Sequence, residues 1–278
     1  MIFPFSKGHG THNDFIVLPD LDGTAHGDLD PSLVAALCDR RGGLGADGVL
    51  RVVRGGVGRR IADADWFMDY RNADGSASEM CGNGVRVFAR YLAATGLVDP
   101  VELVGPLTVD TRDGVKLVTY CDDDEISVDM GAPKVGGAVD IRVDGRLVEA
   151  TEVDMGNPHA VVCVDSLSEA GDLLRAPGYR SDQFPDGVNV EFVSASGQNS
   201  LAMRVHERGV GETWSCGTGA CAAVAATATR EQPSGLTLPL AYAVTVPGGV
   251  LTVTWDVDGH LHLKGPAVIV ATGTFTSR

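Results

Sequence analysis

Cys81-Gly82-Asn83-Gly84-Val85-Arg86-Val87-Phe88-Ala89-Arg90-Tyr91-Leu92 and Cys216-Gly217-Thr218-Gly219-Ala220-Cys221-Ala222-Ala223-Val224-Ala225-Ala226 open alike, with Cys-Gly-X-Gly before an apolar run. In the first stretch Val85, Phe88, Ala89 and Leu92 recur at helical spacing while Arg86 and Arg90 share the other face, which predicts an amphipathic helix from Gly84 to about Ala94. The second shows no polar face between Ala220 and Ala226, so a helix from Gly219 to Thr229 is expected to be buried on all sides. The likeness extends upstream. Asn72 lies nine residues before Cys81 and Glu207 nine before Cys216, while Gly10-Thr11-His12-Asn13 and Gly156-Asn157-Pro158-His159 each precede a hydrophobic strand. The chain reads as an internal duplication.

Between these landmarks lie short β-branched and apolar runs punctuated by glycine. Strands are expected over Phe15–Leu18, Val49–Val53, Trp66–Tyr70, Val115–Tyr120 and Ile126–Met130, then over Ala160–Val164, Val188–Val193, Leu201–His206 and Val250–Trp255. Asp30-Pro31 opens a further helix through Asp39, with the acid as cap and proline at the first helical position. Two similar domains follow, with a boundary near Glu125: residues 1–125 plus 264–278, and residues 126–263.

The 278 residues, 44% of them apolar, suffice for two such cores. A net charge of −15 repels phosphate backbones and anionic lipid, so nucleic-acid and membrane partners are not expected. Met1–Phe15 lacks the apolar core of a secretory signal, and the uncharged stretch Gln232–Trp255 is broken by Pro233, Pro239, Pro247, Gly248 and Gly249. Six irregularly spaced cysteines suit a reducing, cytoplasmic setting rather than a disulfide scaffold. Cys38, Cys163 and Cys221 lie in apolar runs and are expected in the core, Cys121 has no evident role, and Cys81 and Cys216 remain. No metal site is expected, because Cys216 and Cys221 have no second close pair and no histidine cluster beside them.

A cysteine just before the open amides of a helix feels the positive end of its dipole, worth up to ~2 kcal/mol. That would bring a thiol from near 8.5 to a pKa of roughly 7, leaving it half ionised at neutral pH. The amides of Gly82, Asn83, Gly217 and Thr218 could bind a carboxylate. Two such sites suit one reaction, removal of a proton from one face of a carbon and its return to the other, with one thiolate as base and one thiol as acid.

These residues resemble the diaminopimelate epimerase family, cofactor-independent enzymes that interconvert LL- and meso-diaminopimelate in bacterial lysine and peptidoglycan synthesis. The resemblance spans nearly the whole chain. It rests on Lys7-Gly8-His9-Gly10 with Asn13-Asp14-Phe15, on Asn72-Ala73-Asp74-Gly75-Ser76 leading to Met80-Cys81-Gly82-Asn83-Gly84, and on Gly156-Asn157-Pro158-His159. Gly187-Val188-Asn189-Val190 and Glu207-Arg208-Gly209 leading to Cys216-Gly217-Thr218-Gly219 complete it.

The resemblance implies a mixed α+β fold of two pseudo-symmetric domains, each a sheet curled around a central helix. It implies Cys81 and Cys216 as the acid–base pair, joined by His159 and Glu207, with Gly82, Asn83, Gly217 and Thr218 on the reacting carboxylate. Asn13 and Asn157 would fix the reacting amino group and carboxylate, while Asn72, Asn189, Glu207 and Arg208 would recognise the distal centre. Arg208 suits its carboxylate and Glu207 its ammonium, although adjacent residues of a strand point apart, so the backbone there would have to bend. Many members carry glutamine where Gly48 stands and arginine where Trp214 stands, and a C-terminal tyrosine that helps some members form homodimers is missing, the last here being Tyr242. Two rival readings are a proline or hydroxyproline racemase, whose substrate lacks a distal amino acid, and a thiol redox sensor.

Overall fold

The computed structural model describes residues 2–57 and 64–276. The chain divides into two compact units, Met1–Val128 with Gly265–Arg278, and Asp129–Lys264.

The first unit runs β1 (Ile2–Gly10), β2 (Asn13–Pro19), α1 (Pro31–Cys38), β3 (Gly48–Arg54), β4 (Trp66–Asn72), α2 (Gly82–Ala94), β5 (Leu107–Thr111), β6 (Gly114–Tyr120) and β7 (Ile126–Asp129). The chain's last strand, Val268–Thr276, returns to lie antiparallel on β1. From β1 onward the sheet pairs successive neighbours as antiparallel, parallel, antiparallel, parallel, antiparallel and antiparallel. Strands from across this sheet, including β1, β2, β3, β4, β6 and the last strand, touch α2, so the sheet curls around the helix.

The second unit runs β8 (Lys134–Val143), β9 (Arg146–Asp154), β10 (Pro158–Cys163), β11 (Asn189–Gly197), β12 (Ser200–Glu207), β13 (Gly211–Thr213), α3 (Gly217–Glu231), β14 (Leu240–Val246), β15 (Gly249–Trp255) and β16 (Leu261–Gly265). From β9 through β10, β11, β12, β14, β15 and β16 the pairing sequence is the same as in the first unit. β8 lies antiparallel on β9 as the chain's last strand, now β17, lies on β1. The duplication is therefore one of topology as well as motif, and each unit is mixed α+β with the same order of parallel and antiparallel pairings around one helix.

Every expected strand is present, all but one within two residues at each end, the exception being β11, which runs on to Gly197; β1, β5, β8, β9, β13, β14, β16 and β17 were not among them. β17 opens with the apolar run Val268-Ile269-Val270-Ala271, a strand signal the sequence reading passed over, although the strand is exposed along most of its length; β8 is exposed over its first half and alternates over its second, with no continuous apolar run. Asp30 caps α1 as expected, its Oδ1 accepting from the Ser32 amide at 2.7 Å. The two central helices begin two residues earlier than the glycines suggest, at Gly82 and Gly217. Glycine is read as a turn because it favours left-handed backbone, yet here it is helical because the preceding cysteine supplies the cap.

α3 is buried on all faces from Ala220 to Ala228, as its composition demands. α2 is not the half-solvated helix that two arginines on one face suggest, since Arg86 is 0% exposed and Arg90 is half-buried. A curled sheet leaves a central helix no solvent face, so its cations are met by protein: Arg90 donates to the Ala267 carbonyl at 3.0 Å and to Asp124 Oδ1 at 2.7 Å. Cys38 packs in a cluster with Leu18, Val34 and Leu37, and burial pushes its thiol up to about 11. Cys221 is in the core of α3, whereas Cys163, at the end of β10 where the strand leaves the core, is only half-buried. Among the described residues no helix is long and apolar enough to cross a membrane.

The alanines of α3 hold the sheet close on every side. Ala225→Leu therefore overpacks a closed interior and is expected to lower the unfolding free energy by about 1–3 kcal/mol, read as a reduced urea midpoint. An unchanged midpoint would mean that α3 is not tightly enclosed.

Candidate active site

Each unit gathers polar side chains at the N-terminus of its central helix. Cys81 has extended backbone (φ −145°, ψ 117°) immediately before α2, and its Sγ accepts from the Gly84 amide at 3.5 Å. Cys216 repeats this before α3 (φ −122°, ψ 116°), its Sγ accepting from the Gly219 amide at 3.4 Å. The thiols thus occupy the place where serine or aspartate usually caps a helix. Gly82 and Asn83, like Gly217 and Thr218, are the first two residues of their helices, where backbone amides have no acceptor inside the helix.

In the first unit Asn13, at the start of β2, brings its Oδ1 to 3.5 Å from Cys81 Sγ and 3.3 Å from Asn83 Nδ2. The other end of the Asn13 amide fixes this orientation, because Nδ2 donates to Asp47 Oδ2 at 2.8 Å and Asp47 is paired with Arg40 at 2.7 Å. Asn83 is fixed likewise. Arg86 Nη2, which can only donate, holds Asn83 Oδ1 at 2.9 Å, and the guanidinium also reaches the Gly82 carbonyl and the Thr11 hydroxyl at 3.5 Å. Asn72 stands apart from this group in its bonding: it ends β4 opposite Gly48, and its Nδ2 donates to Ser76 Oγ at 3.0 Å. Gly48 has no room for a side chain, since a Cβ there would lie 2.5 Å from the Arg71 carbonyl oxygen and 2.7 Å from the Tyr70 ring.

In the second unit His159, fully buried on β10, places Nε2 3.0 Å from Asn157 Oδ1 and Nδ1 2.7 Å from Glu191 Oε1. Asn157 Nδ2 donates to Thr218 Oγ1 at 3.5 Å, and that hydroxyl lies 3.5 Å from Cys216 Sγ. Glu207 ends β12 and accepts from the Thr213 hydroxyl. The bend between Glu207 and Arg208 is present, because the strand stops at Glu207 and the chain turns through Gly209 (φ 75°). Arg208 donates its amide to Asn189 Oδ1 at 2.9 Å and its Nη1 to the Asp186 carbonyl at 2.9 Å. Trp214 is 59% exposed.

Sequence reasoning read Arg86 only as part of the polar face of α2, and it passed over Asp47 and Glu191. Strand parity could have found the last: Asn189 and Glu191 point to one face of β11, while Val190 and Phe192 point to the other and pack with Ala160, Val162 and Phe184. A carboxylate at a position where the opposite face is wholly apolar marks a polar interior.

The expectation of a half-ionised thiol fails at Cys216. Burial pushes this thiol well above its ordinary range, and the carboxylates of Glu207 and Glu191 push further. Hydrogen bonds from Thr218 and the Gly219 amide oppose them and are outweighed. The helix dipole is a surface-scale effect, and it is smaller than desolvation beside two acids. Among the described residues, no three His, Cys, Asp or Glu side chains are grouped to hold a metal ion.

The sequence model of the diaminopimelate epimerase family matches residues 5–136 and 151–274. A diaminopimelate epimerase of Streptomyces coelicolor is 52% identical over 281 residues, covering 98% of this chain and 95% of that protein. One of Mycolicibacterium smegmatis is 47% identical over 289 residues, covering 97% and 95%. Among solved structures, a hydroxyproline epimerase from Agrobacterium vitis with bound trans-4-hydroxy-L-proline has a TM-score of 0.69 at 16% identity, covering 98% of this chain and 92% of that one. A Bacillus anthracis phenazine biosynthesis protein of the PhzF family has a TM-score of 0.69 at 15% identity, covering both chains fully. At these identities the likeness is one of fold.

Because burial and two carboxylates hold Cys216 protonated, its alkylation by iodoacetamide should keep accelerating from about pH 7 to about pH 10, followed peptide by peptide in a mass spectrometer. A rate that levels off near neutrality would mean a thiolate already formed there.

Proposed function

The chain belongs to the diaminopimelate epimerase family, and we propose on that premise that it interconverts LL- and meso-diaminopimelate by moving a proton on and off one α-carbon with two thiols. The observation that carries this reading is the pair of thiol-capped helix starts, built alike on one topology that occurs twice. One thiolate takes the α-proton, the other thiol returns one to the opposite face, and the roles exchange when the reaction reverses.

A carbon beside a carboxylate is a weak acid, because its deprotonation loads charge onto the carboxylate oxygens. The amides of Gly82, Asn83, Gly217 and Thr218 meet that charge as fixed donors, each worth about 2.7–4 kcal/mol by analogy with oxyanion holes. Asn13 and Asn157 hold the reacting amino group and carboxylate, their amides already oriented by Asp47 and His159. His159 and Glu207 bias the protonation of the thiols, and Glu207 does so at Cys216 through its charge. The distal amino acid is recognised by Asn72, Asn189, Glu207 and Arg208, with the guanidinium on its carboxylate and the acid on its ammonium. We place the enzyme in the cytoplasm, on its irregularly spaced cysteines, and as a homodimer, as the family resemblance implies.

Proton NMR of the reduced protein with LL-diaminopimelate in heavy water tests this, with L-proline as control. The expected result is loss of the α-proton signal and appearance of the meso isomer for diaminopimelate alone; exchange with proline alone would move the enzyme to the racemase branch. Cys81→Ser and Cys216→Ser should each lower kcat by about 10²–10⁴-fold without unfolding the protein, and near-normal turnover by either would end the two-thiol mechanism.

A further inference from the structure

Glu191 is fully buried on β11, two residues beyond Asn189, which is in register with His159 on the parallel neighbour β10. Its Oε1 lies 2.7 Å from His159 Nδ1, and its Oε2 has no hydrogen-bond partner among the described residues. The carboxyl is pressed beneath the first turn of α3, where a Cβ on Gly219 would come within 2.8 Å of Oε1. A buried carboxyl with one empty oxygen is costly, so its single contact has to account for its place there.

Donor and acceptor chemistry defines that contact. Asn157 Nδ2 donates to Thr218 Oγ1, which leaves Asn157 Oδ1 facing His159 Nε2 at 3.0 Å. An amide oxygen only accepts, so Nε2 carries a proton. A second proton lies between Nδ1 and Oε1, whether the pair is written as imidazolium and carboxylate or as imidazole and carboxylic acid. With one proton fewer, a carboxylate at Glu191 would draw the ring proton to Nδ1, Nε2 would become an acceptor, and Asn157 would have to turn its NH2 group away from Thr218.

We propose that Glu191 is a positioning residue: by sharing a proton with His159 Nδ1 it keeps Nε2 as a donor, and so holds the Asn157 amide with its NH2 toward Thr218 and the Cys216 end of α3. Glu191 touches no reacting atom in this scheme. Its effect passes through the histidine to an asparagine side chain that would otherwise turn over freely, since its two ends are alike in shape.

The activity arm of the test rests on the epimerase reading above, and the spectroscopic arm does not. Long-range proton–nitrogen spectra of the protein without substrate should show His159 Nε2 protonated; a bare Nε2 with the proton on Nδ1 overturns the proposal whatever the protein catalyses. Glu191→Leu, which fills the space without a hydrogen bond, should lower kcat/KM for LL-diaminopimelate by about 10–100-fold. Glu191→Gln, whose amide can donate to Nδ1, should recover at least about tenfold of that loss at the same thermal midpoint, as a merely packed residue would not. Wild-type turnover by Glu191→Leu, or a glutamine variant no better than leucine at equal stability, overturns the proposal. Should Glu191→Leu fail to fold, the tautomer of His159 decides alone. Wild-type protein that leaves LL-diaminopimelate unexchanged would sink the epimerase reading and leave the tautomer result standing.

Discussion

A sulfur atom stands where an oxygen normally caps a helix, and much of the site follows from that substitution. To cap α2 and α3, Cys81 and Cys216 must be extended, sit one residue outside the helix and point back at the third amide of the first turn. At Gly219 an added Cβ would lie 2.8 Å from Glu191 Oε1 and 3.2 Å from both Cβ and Sγ of Cys216, so this glycine, which weakens the helix by about 0.5–1 kcal/mol, makes room for the carboxyl as well as the thiol. At Gly84 the nearest atoms, on Cys81 and Leu50, would stand at 3.4 Å, an ordinary contact, so the space there is less tight. In both units the cap fixes the thiol within reach of the helix-start amides.

The same cap is placed in two different electrostatic settings. Around the first, the charged group brought close to Asn83 is the Arg86 guanidinium, buried and bonded to the Asn83 side chain and the Gly82 carbonyl. Around the second, burial and the negative charge of Glu207 drive the thiol toward its protonated form. Helix geometry is common to both sites, so the difference arises from residues on neighbouring strands and within the helix body. A duplicated fold with divergent packing thus gives two like-placed thiols unlike surroundings.

The duplication, the buried character of α3 and the strands of the central sheets were legible because each is a short-range pattern: spacing, periodicity or an apolar run. The polar side chains that orient the site were harder to see. Asp47 fixes Asn13 from a loop 34 positions away, and Glu191 meets His159 across 32, so neither pairing leaves a local trace. Arg86 was visible but misplaced, since helical periodicity tells which residues share a face and says nothing of whether that face is covered. The ionisation of Cys216 was misjudged for the same reason: the dipole is a property of the helix and can be read along it, whereas desolvation and two carboxylates arrive from other elements.

The last strand bears on how such a molecule is assembled. The second unit is continuous, Asp129–Lys264, and its β8 comes directly before β9. In the first unit the strand in the corresponding place is β17, made last, and it pairs Ile2 with Thr276. The sheet begun first is therefore completed only when the chain's end returns, and α2, which touches β17, is fully enclosed only then. Closing so long a loop must precede the contacts that reward it, which makes this pairing slow compared with the local hairpins of the second unit. The second unit has no such loop to close: the strands that touch Cys216's helix all lie between β8 and β15, whereas the enclosure of Cys81's helix needs both β1 and β17.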